Sequence, residues 1–404
     1  MERLALASFD QRPTAAYALG DEVLSANSPS FQAKLLRAYA TRSRPRCMCV
    51  SGGIEMYTSR HDDVVGLRRL PGTGCQHAPS CPSYEIPLDA SGLGRLLGSA
   101  IRRDPWSGDS KLSLAFSLST RHRNLHTTVQ QAVDETGHGT TPRLSMLGML
   151  HYLWDQAELT HWHPSFRGRR SWAVVRKRVM DAASRMQTSR RSLGELLHLP
   201  ESFVEERMHA AREQRRKFFA TAEAERRLAL VAGELKSLHR SRDAWRLAIR
   251  HMPELPILLD DGMYRKAHAR FTHELELWRA DDRVRLLALV AVSVGALGAL
   301  QATSLSLSCT SSEWLPFSNQ AEWSLLTALL AEQRSFIRAL QYGLTPPAGQ
   351  ACVPYAFLTD TAQHSQPLFI DQRSCTDDSG QEPAAWTWNW LNEDMPSLPP
   401  RSVQ

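Results

Sequence analysis

Apolar positions follow two periods along this chain. Leu144, Leu147, Leu150, His151 and Trp154 recur at helical spacing, as do Trp172, Val175 and Val179, so helices are predicted from about 144 and over 171–186. Ser192 with Glu195 three residues on has the form of a capping box, and Pro200 closes the short helix it would start. Further helices are predicted over 92–102, 201–230, 261–279 and 320–342, and residues 1–40 read as helix-prone. Elsewhere the period shortens to two. Leu112, Leu114, Phe116 and Leu118 alternate over 111–119, and strands are predicted at 54–58, 64–70, 228–237, 244–251, 355–358 and 367–370. Trp386, Trp388 and Trp390 would share one face of a last strand. The apolar run 286–307 is long enough to span a bilayer. Gly295 and Gly298 punctuate its middle, however, and Ser304, Ser306 and Ser308 alternate with leucine, so it reads as strand, turn, strand.

These elements predict an α+β protein: a cysteine-rich, zinc-ribbon-like N-terminal module, a basic helical middle and a mixed α/β C-terminal half. The expected divisions are 1–135, with the cysteine-rich module at 41–90, then 140–230, then 231–404. A chain of 404 residues accommodates three such units, and 42% hydrophobic with 22% charged side chains excludes a collagen-like, fibrous or wholly disordered protein. The net charge of +6 identifies no partner. Its distribution says more: residues 161–250 hold 21 basic against 10 acidic side chains, and 351–404 hold 2 against 7. A basic centre of that kind is compatible with nucleic acid, and equally with solvated helix faces. The opening MERLALASFDQRP lacks a signal-peptide core, so a cytoplasmic, non-membrane protein is expected.

The densest chemistry lies at Cys47-Met48-Cys49, Cys75-Gln76-His77 and Cys81. Two close groups of thiolate and imidazole donors, separated by a hairpin, match the needs of a tetrahedral structural zinc site. The spacing departs from a zinc ribbon, because one residue separates Cys47 from Cys49 where two are usual. A redox Cys-x-Cys pair, disulfides and plain packing are the other readings, although seven cysteines is an odd count for disulfides. Cys309, Cys352 and Cys375 stand singly and read as buried thiols.

The stretch from Cys47-Met48-Cys49 through Met56-Tyr57 and Pro71-Gly72-Thr73-Gly74 to His77 and Cys81 resembles an uncharacterised family of bacterial proteins of about this length, noted for cysteines toward the N-terminus. The likeness continues through the Trp154 and Trp172 region, Glu313-Trp314-Leu315-Pro316-Phe317 and Leu358-Thr359-Asp360-Thr361. The resemblance implies no activity. It implies three marked cysteines where this chain has four, which makes Cys75 the alternate ligand and Cys47, Cys49, His77 and Cys81 the expected set. It also implies a cargo role on mobile genetic elements, hence a DNA-related context.

Three functions are weighed. The first is a non-catalytic, zinc-stabilised protein that binds DNA or RNA through Arg167, Arg169, Arg170, Arg176, Lys177, Arg178, Arg190 and Arg191, with Trp162, Phe166 and Trp172 available for base stacking. The second is a nuclease-like enzyme, active or degenerate, using Glu322, Asp360 and Asp371 around a metal. It is weakened because Tyr355 stands where an acid would help and no lysine follows Asp360. The third is a partner-binding protein that docks through the charged helix at 201–230. His161, His163 and His138 read as surface imidazoles, and Asp260-Asp261 and Asp281-Asp282 as helix-boundary carboxylates. No phosphate-binding loop, dinucleotide motif or nucleophile elbow occurs.

Overall fold

The computed structural model describes residues 15–61, 64–104, 107–119, 142–188, 191–241, 244–344, 353–361, 364–371 and 386–402. The expectations for Arg190, His138, Cys352 and Cys375 lie outside the described residues.

Of residues 15–40, read as helix-prone, the first part forms two short strands and only the last ten residues a helix. β1 (Ala16–Leu19) and β2 (Glu22–Ser25) pair across the two-residue turn Gly20-Asp21, with Gly20 at φ +69°. After α1 (Phe31–Ala40), β3 (Arg46–Cys47), β4 (Ile54–His61) and β5 (Val64–Arg69) complete a sheet of order β2-β1-β3-β4-β5. This is a five-stranded sheet backed by a helix, a larger frame than a ribbon. Its buried side chains are few: Leu19, Leu35, Ala38 and Val65 under α1, and Tyr17, Met56 and Tyr84 around the cysteines.

The next segment serves the body of the protein. The expected helix at 92–102 shrinks to α2 (Leu93–Leu96), and the chain continues as β6 (Ile101–Arg103) and β7 (Ser110–Leu112). The alternation over 111–119 gives only isolated bridges beyond Leu112. Two long helices follow as read, α3 (Met146–Gln156) and α4 (Trp172–Ser184), with β8 (His161–Trp162) between them. β9 (Met186–Gln187) adds to β7. Ser192 caps α5 (Leu193–Leu196) by accepting from the Gly194 N–H, and β10 (Leu197–His198) and α6 (Met208–Ala224) come next.

A closed barrel occupies the centre. Its strands are β11 (Ala229–Arg240), β12 (Trp245–Ile249), β13 (Ile257–Leu259), β14 (Arg285–Val294) and β15 (Leu300–Thr310). β11 pairs with β12, β12 with β13, β13 in parallel with β15, β15 with β14, and β14 back with β11. One strand closes the ring by bending. Residues 229–234 of β11 pair with β14, a bulge follows at Leu235/Ser237, and 235–240 pair with β12. Gly233 sits at that bend, where a Cβ would come within 2.5 Å of Ile249 Cγ2. The expected boundary at 230/231 therefore falls inside β11.

Alternation sorts the barrel's side chains. Val231, Leu247, Ile257, Val290 and Leu305 fill the interior, together with Phe219 of α6, which lies against β14 and the β14–β15 turn. α7 (Asp261–Arg270) and α8 (Thr272–Ala280) contribute Met263, Phe271 and Leu275. They are two helices where one was predicted, and they break at Phe271. Leu230, Ala232, Leu287, Leu289 and Ala291 point outward and are covered by α3 and α4. The outward side chains of residues 236–240 and of Arg246 stay exposed or half-buried. After β16 (Pro316–Phe317) and α9 (Gln320–Ala331), the expected helix to 342 gives way to β17 (Phe336–Arg338). With β18 (Ala356–Leu358), β19 (Gln366–Asp371) and β20 (Trp386–Asn389) it forms a second sheet of order β20-β19-β18-β17-β8.

Candidate metal centre

Local backbone geometry gathers the donors. Cys47 ends β3, held by Tyr17 of β1 on one side and Ile54 of β4 on the other. The chain then turns through Val50–Gly53, closed by the Gly53 N–H to Val50 O at 3.0 Å. Gly53 has φ +66°, and a Cβ there would strike Met48 Sδ at 2.9 Å, so glycine alone fits. This turn points Cys49 back toward Cys47. The second pair comes from the loop after β5. A short 3-10 turn at Gly74–Gln76 delivers His77, and the Cys81 N–H to Ala78 O bond of 2.8 Å delivers Cys81.

All four ligand atoms of Cys47, Cys49, His77 and Cys81 lie within 4.8 Å of one another. Cys47 Sγ is 3.6 Å from Cys81 Sγ, and His77 Nδ1 is 3.3 Å from Cys49 Sγ and 3.7 Å from Cys81 Sγ. Four donors around an ion at Zn–S distances of about 2.3 Å would be separated by about 3.8 Å, so the observed edges suit a tetrahedral metal. Two backbone N–H groups support the sulfurs: Ala78 donates to Cys49 at 3.5 Å and Ser83 to Cys81 at 3.4 Å. Cys47, His77 and Cys81 are buried, Cys49 half-buried. Among the described residues no other group of three or more Cys, His, Asp and Glu converges in this way.

Without an ion the three thiols divide, one favouring the thiolate and two the protonated form. The Cys47 thiol is pushed down to about 4, first by the neighbouring Cys81 side chain and against the cost of burial. Cys81 moves up, because it supplies the proton that Cys47 accepts, and Cys49 moves up through burial. A shared proton between crowded sulfurs is what a bound cation would displace. Cys75 is exposed and stands apart from the cluster. The four donors can therefore hold a metal ion.

The module rests on the second sheet. Ile337 of β17 packs among Tyr17, Cys47, Met56, Cys81 and Tyr84, and Tyr84 Oη lies 2.5 Å from Ser365 Oγ. A cleft of about 710 Å³ opens beside Cys81, between Ala78–Ser80, His161–Pro164 and Thr359–Thr361.

The basic helical middle looks different in three dimensions. Arg170 is buried: its guanidinium donates to the carbonyls of Leu159, His161 and Glu313 and lies 5.2 Å from the Trp162 ring and 5.1 Å from Phe166. It is a structural anchor with no reach to a phosphate. Arg176 bonds Glu201 at 2.6 Å and Leu199 O at 2.8 Å, Lys177 bonds Asp181 at 3.0 Å, and Arg178 meets Glu158 at 3.5 Å. Arg191 faces Glu195 and Glu225, and Arg167 donates to Leu330 O. Arg169 is exposed. Trp162, Phe166 and Trp172 are buried and unavailable to stacking bases. What spacing could not reveal is that Arg176, Arg178 and Arg191 meet acids distant in sequence and that Arg170 is spent on buried carbonyls.

Two of the three nuclease-like acids are likewise paired, while the side chain of Asp371 lies outside the described ones. Asp360 accepts two bonds from Arg334, at 2.8 and 2.9 Å, and one from the Ser335 N–H, while Glu322 pairs with Arg338 at 2.7 Å. Both carboxylate pairs stand at helix boundaries: Asp260 caps the start of α7 through the Met263 N–H, whereas Asp281 follows the end of α8 and pairs with Arg283. Sequence reading missed the exposed cations Lys236 and Arg246, which belong to strands and acquire a common face only when the barrel closes.

No helix among the described residues is long and apolar enough to cross a membrane. No curated protein and no solved structure matches the chain. A family signature does, over residues 17–391, and with nearly the whole chain so covered the protein belongs to the family described as protein of unknown function (DUF1173).

Proposed function

We propose that this is a non-catalytic, nucleic-acid-associated binding protein whose N-terminal module is stapled by a structural zinc ion. The observation that carries the reading is the closed donor set. Three sulfurs and one imidazole nitrogen fill a tetrahedron on a module with little apolar core, which suits a structural ion; a catalytic zinc keeps a position for water. Zinc is favoured over a harder cation because three of four donors are thiols. The Arg-neutralised Asp360 and Glu322 favour binding over hydrolysis.

Nucleic-acid association draws its support from the barrel. Taken in chain order its five strands close as 1-2-3-5-4-1, the connectivity of the OB-fold, with helices between the third and fourth strands. Barrels of that connectivity recurrently bind oligonucleotides or oligosaccharides. Fold alone does not assign a ligand, so the exposed cations Lys236 and Arg246 on the barrel strands β11 and β12 enter as the second argument.

Elemental analysis of untagged protein is expected to give one zinc per chain, absent from the Cys47→Ser, Cys49→Ser double variant; metal-free wild-type protein would remove the staple. Titration of the full chain with labelled DNA and RNA is expected to give binding that weakens steeply with salt. Absence of binding at low salt would remove the nucleic-acid half.

A further inference from the structure

Among the described residues, helices cover the outward face of β11 and β14 but not the row beyond the β11 bulge. Where β11 and β14 face outward, α3 and α4 bury Leu230, Leu287 and Leu289. Past the β11 bulge the outward positions change character. The pairing register sets His239 opposite Arg246, Arg246 opposite Leu258, and Leu258 opposite Gln301, a continuous row across β11, β12, β13 and β15. His239 and Arg246 are exposed, Leu258 and Gln301 half-buried. Lys236 at the bulge, also exposed, extends the cationic side of the row, while Arg240 at the strand end pairs opposite Trp245 and falls on the other face. Arg240 meets Asp261 at the rim, 3.5 Å away, and no carboxylate stands in the row itself. At one end of the barrel the β14–β15 turn holds Leu297 fully out in solvent at φ +62°.

We propose that this row, with Lys236 and Arg246 as its phosphate contacts and Leu258 as its apolar floor, is a binding surface for single-stranded nucleic acid. The inference deepens the nucleic-acid reading above and rests on it. The chemistry argues for a single strand. A strand laid across the row places its backbone along the Lys236–Arg246 side and its bases over Leu258 and Gln301. Duplex DNA shields its bases and is read in the major groove by a protruding helix or ribbon, whereas this wall is a sheet face with its cations on one flank. The turn carrying Leu297 sits where an exposed apolar side chain can rest against an unstacked base, a contact a duplex does not offer.

The test uses the full-length chain and fluorescence anisotropy, with labelled 20-mers of deoxythymidine and of uridine, and a 20-base-pair duplex, at two salt concentrations. Both single strands are expected to bind more tightly than the duplex. Lys236→Ala combined with Arg246→Ala should weaken single-strand binding at least about 10-fold and flatten the dependence of log K on log salt by about 1.4, the release expected for two phosphate contacts on a single strand. Both side chains are exposed, so unchanged circular dichroism should accompany the loss. The companion variant Arg169→Ala, Lys177→Ala, on the segment leading into α4 and on α4 itself, should bind as the parent does. If the wall variant binds normally and the α4 variant does not, the surface is misplaced while the nucleic-acid reading survives. Tighter binding to the duplex overturns the single-strand inference alone. If none of the three probes binds the parent at low salt, both readings fall.

Discussion

The N-terminal module and the central barrel reach a defined structure by opposite means. The module's buried side chains are a handful around α1 and a second handful around the cysteines, partly completed by Ile337 from elsewhere. The barrel is packed with leucine, isoleucine and valine on its inside and over much of its outside. At about 25 cal/mol per Å² of apolar surface removed from water, the barrel has a large favourable term and the module a small one. The difference teaches why the donors lie where they do: Cys47 joins the middle of the sheet to the loop carrying His77 and Cys81, the two parts that apolar burial holds least well.

Breaking the staple should give the largest effect. Structural zinc in small modules contributes about 10 kcal/mol or more. Cys47→Ser with Cys49→Ser is expected to open residues 15–90 to limited proteolysis while fragments containing the barrel stay resistant. Equal resistance of both regions would mean that the module stands on its own core. On the barrel side, Leu289→Ala removes a fully buried side chain between β14 and the helices. It should cost about 2–5 kcal/mol, read as a lowered urea midpoint, and leave the zinc content unchanged. Loss of zinc in this variant would show that the two regions fold as one.

A smaller effect separates them by pH. His151 in α3 and His198 in β10 are buried, and burial first, then Arg338 for His151 and Arg215 with Arg176 for His198, pushes each imidazole down to about 3. An unfolded imidazole titrates near 6.5. The unfolded chain therefore binds more protons below that pH, so the stability held in these two neutral rings is complete above 6.5 and is lost as pH falls toward 3. The loss amounts to about 2 kcal/mol per histidine at pH 5. Urea midpoints at pH 7.5 and 5.0 should differ in the wild type and converge in His151→Phe, His198→Phe; a wild-type midpoint that does not move with pH would contradict the assignment.

Local signals predicted local structure well. Gly295 and Gly298 marked the turn between β14 and β15, Ser192 and Asp260 marked helix starts, and alternating tryptophans marked β20, because each of these depends on backbone conformation or on one buried face. The donors were also legible, since a metal site restricts residue type and spacing within a short stretch. Where the reading went astray, a partner distant in sequence made the decision. Residues 336–338 continued a helical pattern but became a strand, because Trp162 and Leu358 flank Phe336 in the sheet. The alternation after Leu112 was real, but the only partners it found were isolated bridges. Gly20-Asp21 did announce a hairpin, hidden because strands of four residues leave too short a pattern to outweigh helix propensity.

By itself, then, the sequence determined the helices that cap themselves, the hairpin of β14 and β15, and the identity of four soft donors in two clusters, all consequences of contacts between near neighbours. Only the tertiary structure decided which charges are free. Arg170 went into the core to bind three carbonyls, Arg176 and Arg178 met acids more than fifteen positions away, and Lys236 and Arg246 were left on an open wall. A charge's availability depends on what lies within a few ångströms of it, and that is set by how the barrel closes and by which of its faces the helices cover.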